Sequence, residues 1–221
     1  MTDRYCQFVR DNTVPAQASM VPEITLHLAT EVTPLWLASE EALAKNGLPP
    51  PFWAFAWPGG QSFARLMLDK PELARGRTIL DFAAGSGIAG IAAAQSGAAR
   101  VIASEIDPFA LAALRLNRAL NAVDLEIAED DLLTAAPAGW DVILAGDVCY
   151  ERPMAGRVLA WLDQAVAAGI DVLVADPGRA YLPKSGLTEL ARYDIPTSLD
   201  LENRQMMTTV IYRYAQQGSP T

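Results

Sequence analysis

Histidine and cysteine are scarce in this 221-residue chain, which has one histidine and two cysteines. With His27 as the single imidazole, little is available for zinc sites built on histidines or for histidine general-base catalysis. Cys6 and Cys149 form no C-x-x-C pair and allow at most one disulfide, which fits a reducing compartment. The sequence therefore predicts a cytoplasmic protein without a metal centre.

Long uninterrupted apolar runs are also missing. The most apolar stretch, residues 79–103, contains Asp81, Gln95 and Arg100 and falls short of the roughly 18 uncharged residues of a membrane span. The N-terminal residues 1–6 (MTDRYC) lack the apolar segment of a signal peptide. We therefore expect neither membrane insertion nor secretion.

Basic residues are outnumbered, with 17 Lys and Arg against 26 Asp and Glu, which gives a net charge of −9. The average field of such a chain repels phosphate backbones. The charge balance argues against a nucleic-acid partner. It favours a basic protein surface or a cationic small molecule.

What the chain has is enough apolar sequence to fold, since 51% of its residues are hydrophobic and 19% are charged. These values exclude intrinsic disorder. At this length the simplest organisation is one domain, which we place at residues 51–221. Residues 1–50 are expected to form an N-terminal extension packed on that domain.

From Arg77 onward the pattern alternates between apolar strands and helices, with a glycine loop after the first strand. Strands are predicted at 78–82, 100–105, 125–128, 140–146 and 171–175, and helices at 86–95, 108–120 and 153–168. After a further short helix, two strands at 193–200 and 205–214 follow each other without a helix between them, which predicts an antiparallel hairpin. The pattern indicates an α/β fold whose mostly parallel sheet is covered on both faces.

Upstream of this region, residues 23–30 alternate like a half-buried strand, with Ile24, Leu26 and Leu28 on one side. His27 falls on the other side and is predicted to lie at the surface. Helices are predicted at 34–45 and 61–68. The aromatic segment between them includes Trp53 and Phe55, for which we expect plain core packing.

The loop Gly85-Ser86-Gly87-Ile88-Ala89-Gly90 has the G-x-G-x-x-G spacing at a strand-to-helix turn. Such a loop binds a nucleotide-type ligand at a helix N-terminus, or is a tight turn that needs glycine for positive φ; the loop alone does not separate the two. Glu105 ends the next strand 20 residues after Gly85, where a carboxylate can accept both ribose hydroxyls. This acid favours the nucleotide interpretation.

Asp81 distinguishes between kinds of nucleotide-type ligand. It ends the first strand four residues before Gly85, where dinucleotide-binding proteins have an apolar strand, and an acid there suits an ammonium better than a pyrophosphate. S-adenosylmethionine (SAM) carries an ammonium, a sulfonium and an adenosine, and no phosphate. Asp-x-x-x-Gly-x-Gly followed by a strand-end acid resembles the class I, seven-stranded SAM-dependent methyltransferases. That resemblance implies a Rossmann-like sheet.

Four further segments sharpen the resemblance: Asp147-Val-Cys-Tyr150 after the fourth strand, Trp57-Pro-Gly-Gly60, Asp176-Pro-Gly-Arg179 and Pro22-Glu-Ile-Thr-Leu-His-Leu28. Together they resemble the electron transfer flavoprotein β-subunit lysine methyltransferases, over residues from about 20 to 214. The resemblance implies transfer of methyl groups from SAM to lysine side chains, with the flavoprotein β subunit as the partner and S-adenosylhomocysteine as the product.

The resemblance also implies roles for individual residues. Asp81, Ala83 and Gly85 would line the methionine part of SAM, and Glu105 would bind the ribose. Asp130 would bind the adenine amino group, and Trp57 would cover the cofactor. Gly146, at the end of the predicted strand 140–146, would form a wall of the cofactor site. Asp147 would attract and orient the lysine, and Tyr150 would add a cation–π or hydroxyl contact.

Two residues depart from the family pattern. Ala83 stands where the family has its first loop glycine, so its methyl group narrows the approach of the methionine part. Glu105 replaces the commoner Asp and is one methylene longer. Among methyltransferases, the alternative is an enzyme that methylates another protein, such as a ribosomal one, or a small amine. The alternatives from other classes are an NAD-dependent oxidoreductase and a non-catalytic protein with the SAM-binding fold. Arg179 either helps hold the acceptor region or pairs with a nearby acid.

Overall fold

A computed structural model describes residues 2–30, 35, 50–197 and 204–216. Apart from Leu35, which is helical, the helix predicted at 34–45 lies outside the described residues. The described helices of more than one turn are α1 (Thr2–Asn12), α2 (Pro58–Asp69), α3 (Ile88–Gln95), α4 (Pro108–Leu120) and α5 (Arg152–Ala167). The strands are β1 (Val14–Ala18), β2 (Val21–Leu28), β3 (Thr78–Phe82), β4 (Arg100–Ser104), β5 (Glu126–Ala128), β6 (Val142–Gly146), β7 (Asp171–Asp176), β8 (Leu187–Pro196) and β9 (Met206–Tyr214). Short 3-10 helices lie at Phe52–Ala54, Pro71–Leu73 and Leu132–Thr134.

Seven strands form one sheet in the order β5-β4-β3-β6-β7-β9-β8. Strands β3 to β7 are parallel, and β9 pairs antiparallel with both β7 and β8. The predicted mostly parallel sheet with a C-terminal antiparallel hairpin is confirmed. The chain leaves β3 towards β4 and later returns on the other side through β6, so a crevice opens between the carboxyl ends of β3 and β6.

The central strands contribute to two apolar cores because their side chains alternate between the faces of the sheet. On one face Ile79 packs with Phe63 of α2 and Ile91 of α3. On the other face Leu80 packs with Trp161 and Val158 of α5. Strand β2 joins the first core through residues that include Ile24 and Leu26.

His27 corrects the prediction that it lies at the surface, because its side chain is only 8% exposed. Its Nδ1 lies 3.1 Å from the Thr13 hydroxyl, and its main-chain N–H donates to the Asn117 amide oxygen at 2.7 Å. The second face of strand β2 is therefore covered at His27 by Thr13 and by Asn117 of α4. Burial lowers the pKa of His27, and the charge of Arg10 lowers it further by a smaller amount. The alternating sequence pattern of β2 predicted one exposed side, but tertiary contacts at His27 bury part of that side.

The short helix predicted after β7 is also wrong. Residues 177–186 are turns and bends, and β8 begins at Leu187, six residues before the predicted start. Pro177, Gly178, Pro183 and Gly186 explain the absence of a helix, because these residue types interrupt helical hydrogen bonding. Within the described ranges no helix combines the length and apolar character of a membrane span.

Candidate active site

The loop between β3 and α3 contains three residues with left-handed backbone: Ala83 at φ +52°, Gly85 at +53° and Gly87 at +79°. The surroundings of the two glycines differ. A Cβ on Gly87 would lie 2.4 Å from Leu114 Cδ2, so this glycine is needed for packing. A Cβ on Gly85 would find only the Trp53 Cα, at 3.9 Å, so this glycine borders open space. Both glycines have the positive φ of a tight turn, and the binding of a nucleotide-type ligand beside Gly85 stays a prediction.

Ala83 adopts a conformation that costs a non-glycine residue about 1–2 kcal/mol. This is the position where the resembled family has glycine, so the structure gives a backbone reason for that preference. The loop keeps the conformation because its neighbours fix it: the Ala84 N–H donates to the Ser104 carbonyl at 3.0 Å.

Asp81 is 5% exposed beneath this loop. Its Oδ2 accepts a hydrogen bond from the Gly90 N–H in the first turn of α3 at 2.8 Å. Burial raises the pKa of Asp81 to about 7, the Gly90 hydrogen bond opposes this, and the charge of Glu105 adds to it. The carboxylate thus has one anchored oxygen and a local environment that a positive charge would stabilise.

Glu105 follows β4 and contacts the glycine loop directly. Its Oε2 accepts from the Gly85 N–H at 3.1 Å, and its Oε1 accepts from the Ile106 N–H at 2.7 Å and the Asp107 N–H at 3.3 Å. Burial nevertheless raises the pKa of Glu105 above its ordinary value. Two carboxylates with raised pKa at one crevice, beside the open space at Gly85, fit a cationic ligand that also offers hydroxyl donors.

On the other side of the crevice Asp147 follows β6 with φ +54°. Its Oδ2 accepts from the Gly59 N–H at 2.7 Å, and its own N–H donates to the Ala175 carbonyl at 3.0 Å. Arg179 Nη2 lies 3.8 Å from its Oδ1. Asp147 is not the N-cap of α5, because Glu151 takes that position.

The glycines near Asp147 permit this close approach. A Cβ on Gly59 would lie 2.4 Å from Asp147 Oδ2, and a Cβ on Gly146 would lie 3.3 Å from Gly59 C and Gly60 N. The segment Trp57-Pro-Gly-Gly60 therefore starts α2 against the end of β6. Gly146 is in contact with this helix start, and its role as a wall of the cofactor site stays a prediction.

An aromatic group lies at the mouth of the crevice. Tyr150 is 42% and Phe52 46% exposed, and their ring centroids are 5.6 Å apart. Trp57 is half-buried, its ring centroid is 5.9 Å from that of Phe52, and its indole N–H donates to the Phe52 carbonyl at 2.7 Å. Sequence reasoning missed Phe52, whose only signal is its place at the start of the aromatic segment.

Tyr150 connects the two sides of the crevice electrostatically. Burial of part of the phenol raises its pKa, and the charges of Glu151 and Glu105 raise it further. In contrast, Trp53 is 2% exposed and stacks on Phe109, which confirms the prediction that it is a core residue. Phe55 is half-buried against the same cluster.

Asp130 lies just after β5, at the same edge of the sheet, and is exposed. The carboxylate of its neighbour Asp131 accepts from the Leu133 N–H at 3.0 Å and pairs with Arg157 at 3.0 Å. The structure brings Asp81, Gly85 and Glu105 into direct contact or close proximity, whereas Asp130 is placed on the edge without a contact to them. Among the described residues, no group of three or more His, Cys, Asp or Glu side chains is arranged to hold a metal ion.

Comparison with known proteins gives the relatives of this chain. The model of the ribosomal protein L11 methyltransferase family (PrmA) matches residues 66–148. The chain is 37% identical to the electron transfer flavoprotein beta subunit lysine methyltransferase of Danio rerio over 214 residues, covering 94% of this chain and 82% of that protein. It is 32% identical to the human protein of that name, with coverage of 94% and 80%, and 33% identical to the homolog in Caenorhabditis elegans, with coverage of 91% and 92%.

Solved structures share the fold at low sequence identity. The tRNA (uracil-54, C5)-methyltransferase of Pyrococcus abyssi, in complex with S-adenosyl-L-homocysteine, aligns with a TM-score of 0.51 at 18% identity, covering 68% of this chain and 38% of that one. The magnesium protoporphyrin IX methyltransferase of Synechocystis PCC 6803, with bound SAH, aligns with a TM-score of 0.50 at 18% identity, covering 70% and 81%. At these identities the similarity concerns the fold alone.

Proposed function

Since this chain belongs to the family of electron transfer flavoprotein β-subunit lysine methyltransferases, we propose that it transfers methyl groups from SAM to lysine side chains of that flavoprotein subunit. The observation that carries the proposal is the placement of strand-end acids on both sides of the crevice. Asp81 and Glu105 lie with the glycine loop on one side, and Asp147 lies beside exposed Tyr150 on the other. One side suits a cationic nucleoside and the other a lysine ammonium.

The cofactor half of the proposal assigns the methionine part of SAM to Asp81, Ala83 and Gly85 and the ribose to Glu105. It assigns the adenine amino group to Asp130, and the outer cover and far wall to Trp57 and Gly146. Support comes from the buried Asp81 and the half-buried Glu105, whose raised pKa values mean that a bound cation would stabilise both carboxylates, and from the open space at Gly85. The product would be S-adenosylhomocysteine.

The acceptor half assigns the lysine to Asp147 and Tyr150. Lysine has an ordinary pKa of about 10.4 and must lose a proton before it attacks. Asp147 would attract the ammonium and orient the amine by a hydrogen bond, with the proton passing to solvent, while Tyr150 would contact the cationic group with its ring. SAM supplies a methyl group bound to a sulfonium. When the amine nitrogen bonds to this methyl group, the C–S bond breaks and the sulfur leaves as a neutral thioether. Positioning of the amine is therefore the main task of the protein.

The match to the ribosomal protein L11 methyltransferase model favours a second candidate, methylation of a ribosomal protein. However, this match ends at residue 148, so it includes Asp147 but stops before Tyr150. Similarity over nearly the whole chain favours the flavoprotein subunit. We place the protein in the cytoplasm, where free Cys6 and Cys149 would stay reduced.

The direct test incubates purified flavoprotein β subunit with the enzyme and saturating SAM and follows its mass. We expect gains in steps of one methyl group on lysine, with none when SAM or enzyme is omitted. Purified ribosomal protein L11 and a small amine, tested in parallel, measure the alternatives. Stabilisation against heat by NAD but not by SAM would contradict the proposal as a whole.

Substitution of Glu105 by alanine should weaken SAM binding by about 1–3 kcal/mol, because the ribose hydroxyls lose their acceptor in a buried site. Glu105 also accepts the Gly85 N–H, so the variant could lose affinity through a displaced loop instead. Calorimetry with an S-adenosylhomocysteine analogue that lacks both ribose hydroxyls separates the two causes. The analogue should bind wild type and variant with similar affinity; an equal loss for both ligands would show that Glu105 acts on the loop only.

A further inference from the structure

Strand β7 ends in a second acid next to the proposed acceptor site. Asp176 is 1% exposed, and the β6–β7 register pairs Gly146 with Ala175, so Asp147 and Asp176 follow paired residues of neighbouring strands. The Asp176 Oδ1 accepts from the Gly178 N–H at 2.7 Å and from the Arg179 N–H at 2.6 Å. Its Oδ2 is buried and has no hydrogen-bond partner. Burial of a carboxylate oxygen in this way is costly and needs an explanation.

The turn after Asp176 brings a cation back to the site. Gly178 adopts φ +90°, a left-handed conformation, and the two hydrogen bonds to Asp176 Oδ1 fix the backbone on either side of it. The Arg179 guanidinium then lies 3.8 Å from Asp147 Oδ1. Further along, the Tyr181 N–H donates to the Cys149 carbonyl at 3.3 Å. This bond holds the segment against the acceptor loop, residues 147–151 between β6 and α5.

We propose that Asp176 and Arg179 are positioning residues for methyl transfer: Asp176 shapes the turn that sets the Arg179 guanidinium against Asp147, and Arg179 keeps both neighbouring carboxylates charged. This inference rests on the proposed function, because it gives a purpose to the orientation of Asp147. The three side chains together carry one net negative charge. That charge matches the single ammonium of a lysine.

Among the described residues, the thiol and the two phenols around this cluster add no charge to it. The Cys149 thiol is buried, and burial raises its pKa to about 12, with smaller contributions from Asp176 and Asp147. Beyond it, Tyr214 of β9 has a pKa raised by burial and by Asp163, and Tyr150 on the acceptor loop also has a raised pKa, so both phenols stay neutral. From α2 the contact is the uncharged Gly59 N–H. Burial raises the pKa of Asp176 as well, and the Arg179 charge is among the influences that oppose it.

Removal of the guanidinium should therefore take away the positive charge that opposes protonation of Asp147 and Asp176. An opposite charge at this distance lowers a carboxyl pKa by about 1–3 units. Arg179→Gln should therefore raise the pH at which the two aspartate carboxyl groups titrate by a similar amount. The acid limb of kcat/KM should move to higher pH by about 1–3 units, while SAM affinity stays within about twofold of wild type. In the double variant Asp176→Asn/Arg179→Gln the site again carries one negative charge, and the acid limb should return towards wild type.

The rate measurement uses the flavoprotein β subunit and the ratio of variant to wild type at each pH, which cancels the deprotonation of lysine common to both. Arg157→Gln is the matched control, because it removes the same kind of group from another Arg–Asp ion pair. In that pair Arg157 Nη2 lies 3.0 Å from Asp131 Oδ2, and Asp147 is not part of it. A ratio that is lowered equally at every pH, with no recovery in the double variant, would overturn the proposal and leave Arg179 a structural residue. A ratio of one throughout would also overturn it.

A second measurement does not depend on activity. Titration of carbon-13-labelled aspartate carboxyl groups by NMR should show a signal that moves to higher pH in Arg179→Gln and is restored in the double variant. Arg179→Lys, which keeps the charge, should titrate like wild type and serves if the glutamine variant does not fold. If wild type methylates no protein, the proposed function fails, and this titration still decides the arrangement: an unmoved signal overturns it.

Discussion

Replacing Gly85 with valine should abolish the binding of SAM and S-adenosylhomocysteine while the chain still folds. Gly85 has φ +53°, and a Cβ there would point into open space whose nearest atom is the Trp53 Cα at 3.9 Å. A branched side chain would fill the space assigned to the methionine part of SAM. We expect affinity to fall by at least about 100-fold, beyond calorimetric detection, together with a modest loss of stability from the left-handed backbone.

Alanine at the same position is the matched control. Ala83 already adopts φ +52° two residues earlier, so the loop accommodates an alanine with this backbone. Gly85→Ala should therefore carry a similar backbone cost and a much smaller steric one, with weakened but measurable binding. Circular dichroism and thermal unfolding show whether each variant is folded. Unchanged affinity for SAM in folded Gly85→Val would remove the loop from the cofactor site.

The sheet is the part of this protein that sequence patterns predict best. The bounds of β3 and α4 agree with prediction residue for residue, because a buried strand of period two and a helix with proline in its first turn are local signals. Asp107 adds to the second signal by accepting the Phe109 N–H as the N-cap of α4. The antiparallel hairpin followed from the missing helix between its two strands, although the start of β8 did not.

Long-range contacts account for what the sequence did not predict. His27 is buried because Thr13 and Asn117 satisfy its polar groups, and neither partner is marked by spacing. The contact of Asp147 with Gly59 joins positions 88 residues apart, and the approach of Arg179 depends on a turn built by Asp176. Residue types at strand ends indicated where a site lies, and tertiary structure determines which groups share a hydrogen bond or an ion pair.

Asparagine is the substitution that tests the role of the charge at Asp147. Asparagine tolerates left-handed backbone, and its amide oxygen can accept the Gly59 N–H as the carboxylate does. Asp147→Asn therefore removes the charge and keeps the shape. SAM affinity should stay within about twofold, whereas turnover on the flavoprotein β subunit should fall by at least about 100-fold, as expected for a group that positions the amine.

Two companion variants separate charge from position at Asp147. Glu151→Gln removes an exposed acid of the same loop whose side chain makes no capping hydrogen bond to α5, and it should keep activity near wild type. Gly59→Ala removes no charge but would place a carbon 2.4 Å from Asp147 Oδ2, so it should displace the carboxylate and lower turnover with SAM affinity retained. Full activity in Asp147→Asn would mean that the lysine binds elsewhere. Methyl transfer to RNA and not to protein would overturn the substrate assignment and the interpretation of the net charge of −9.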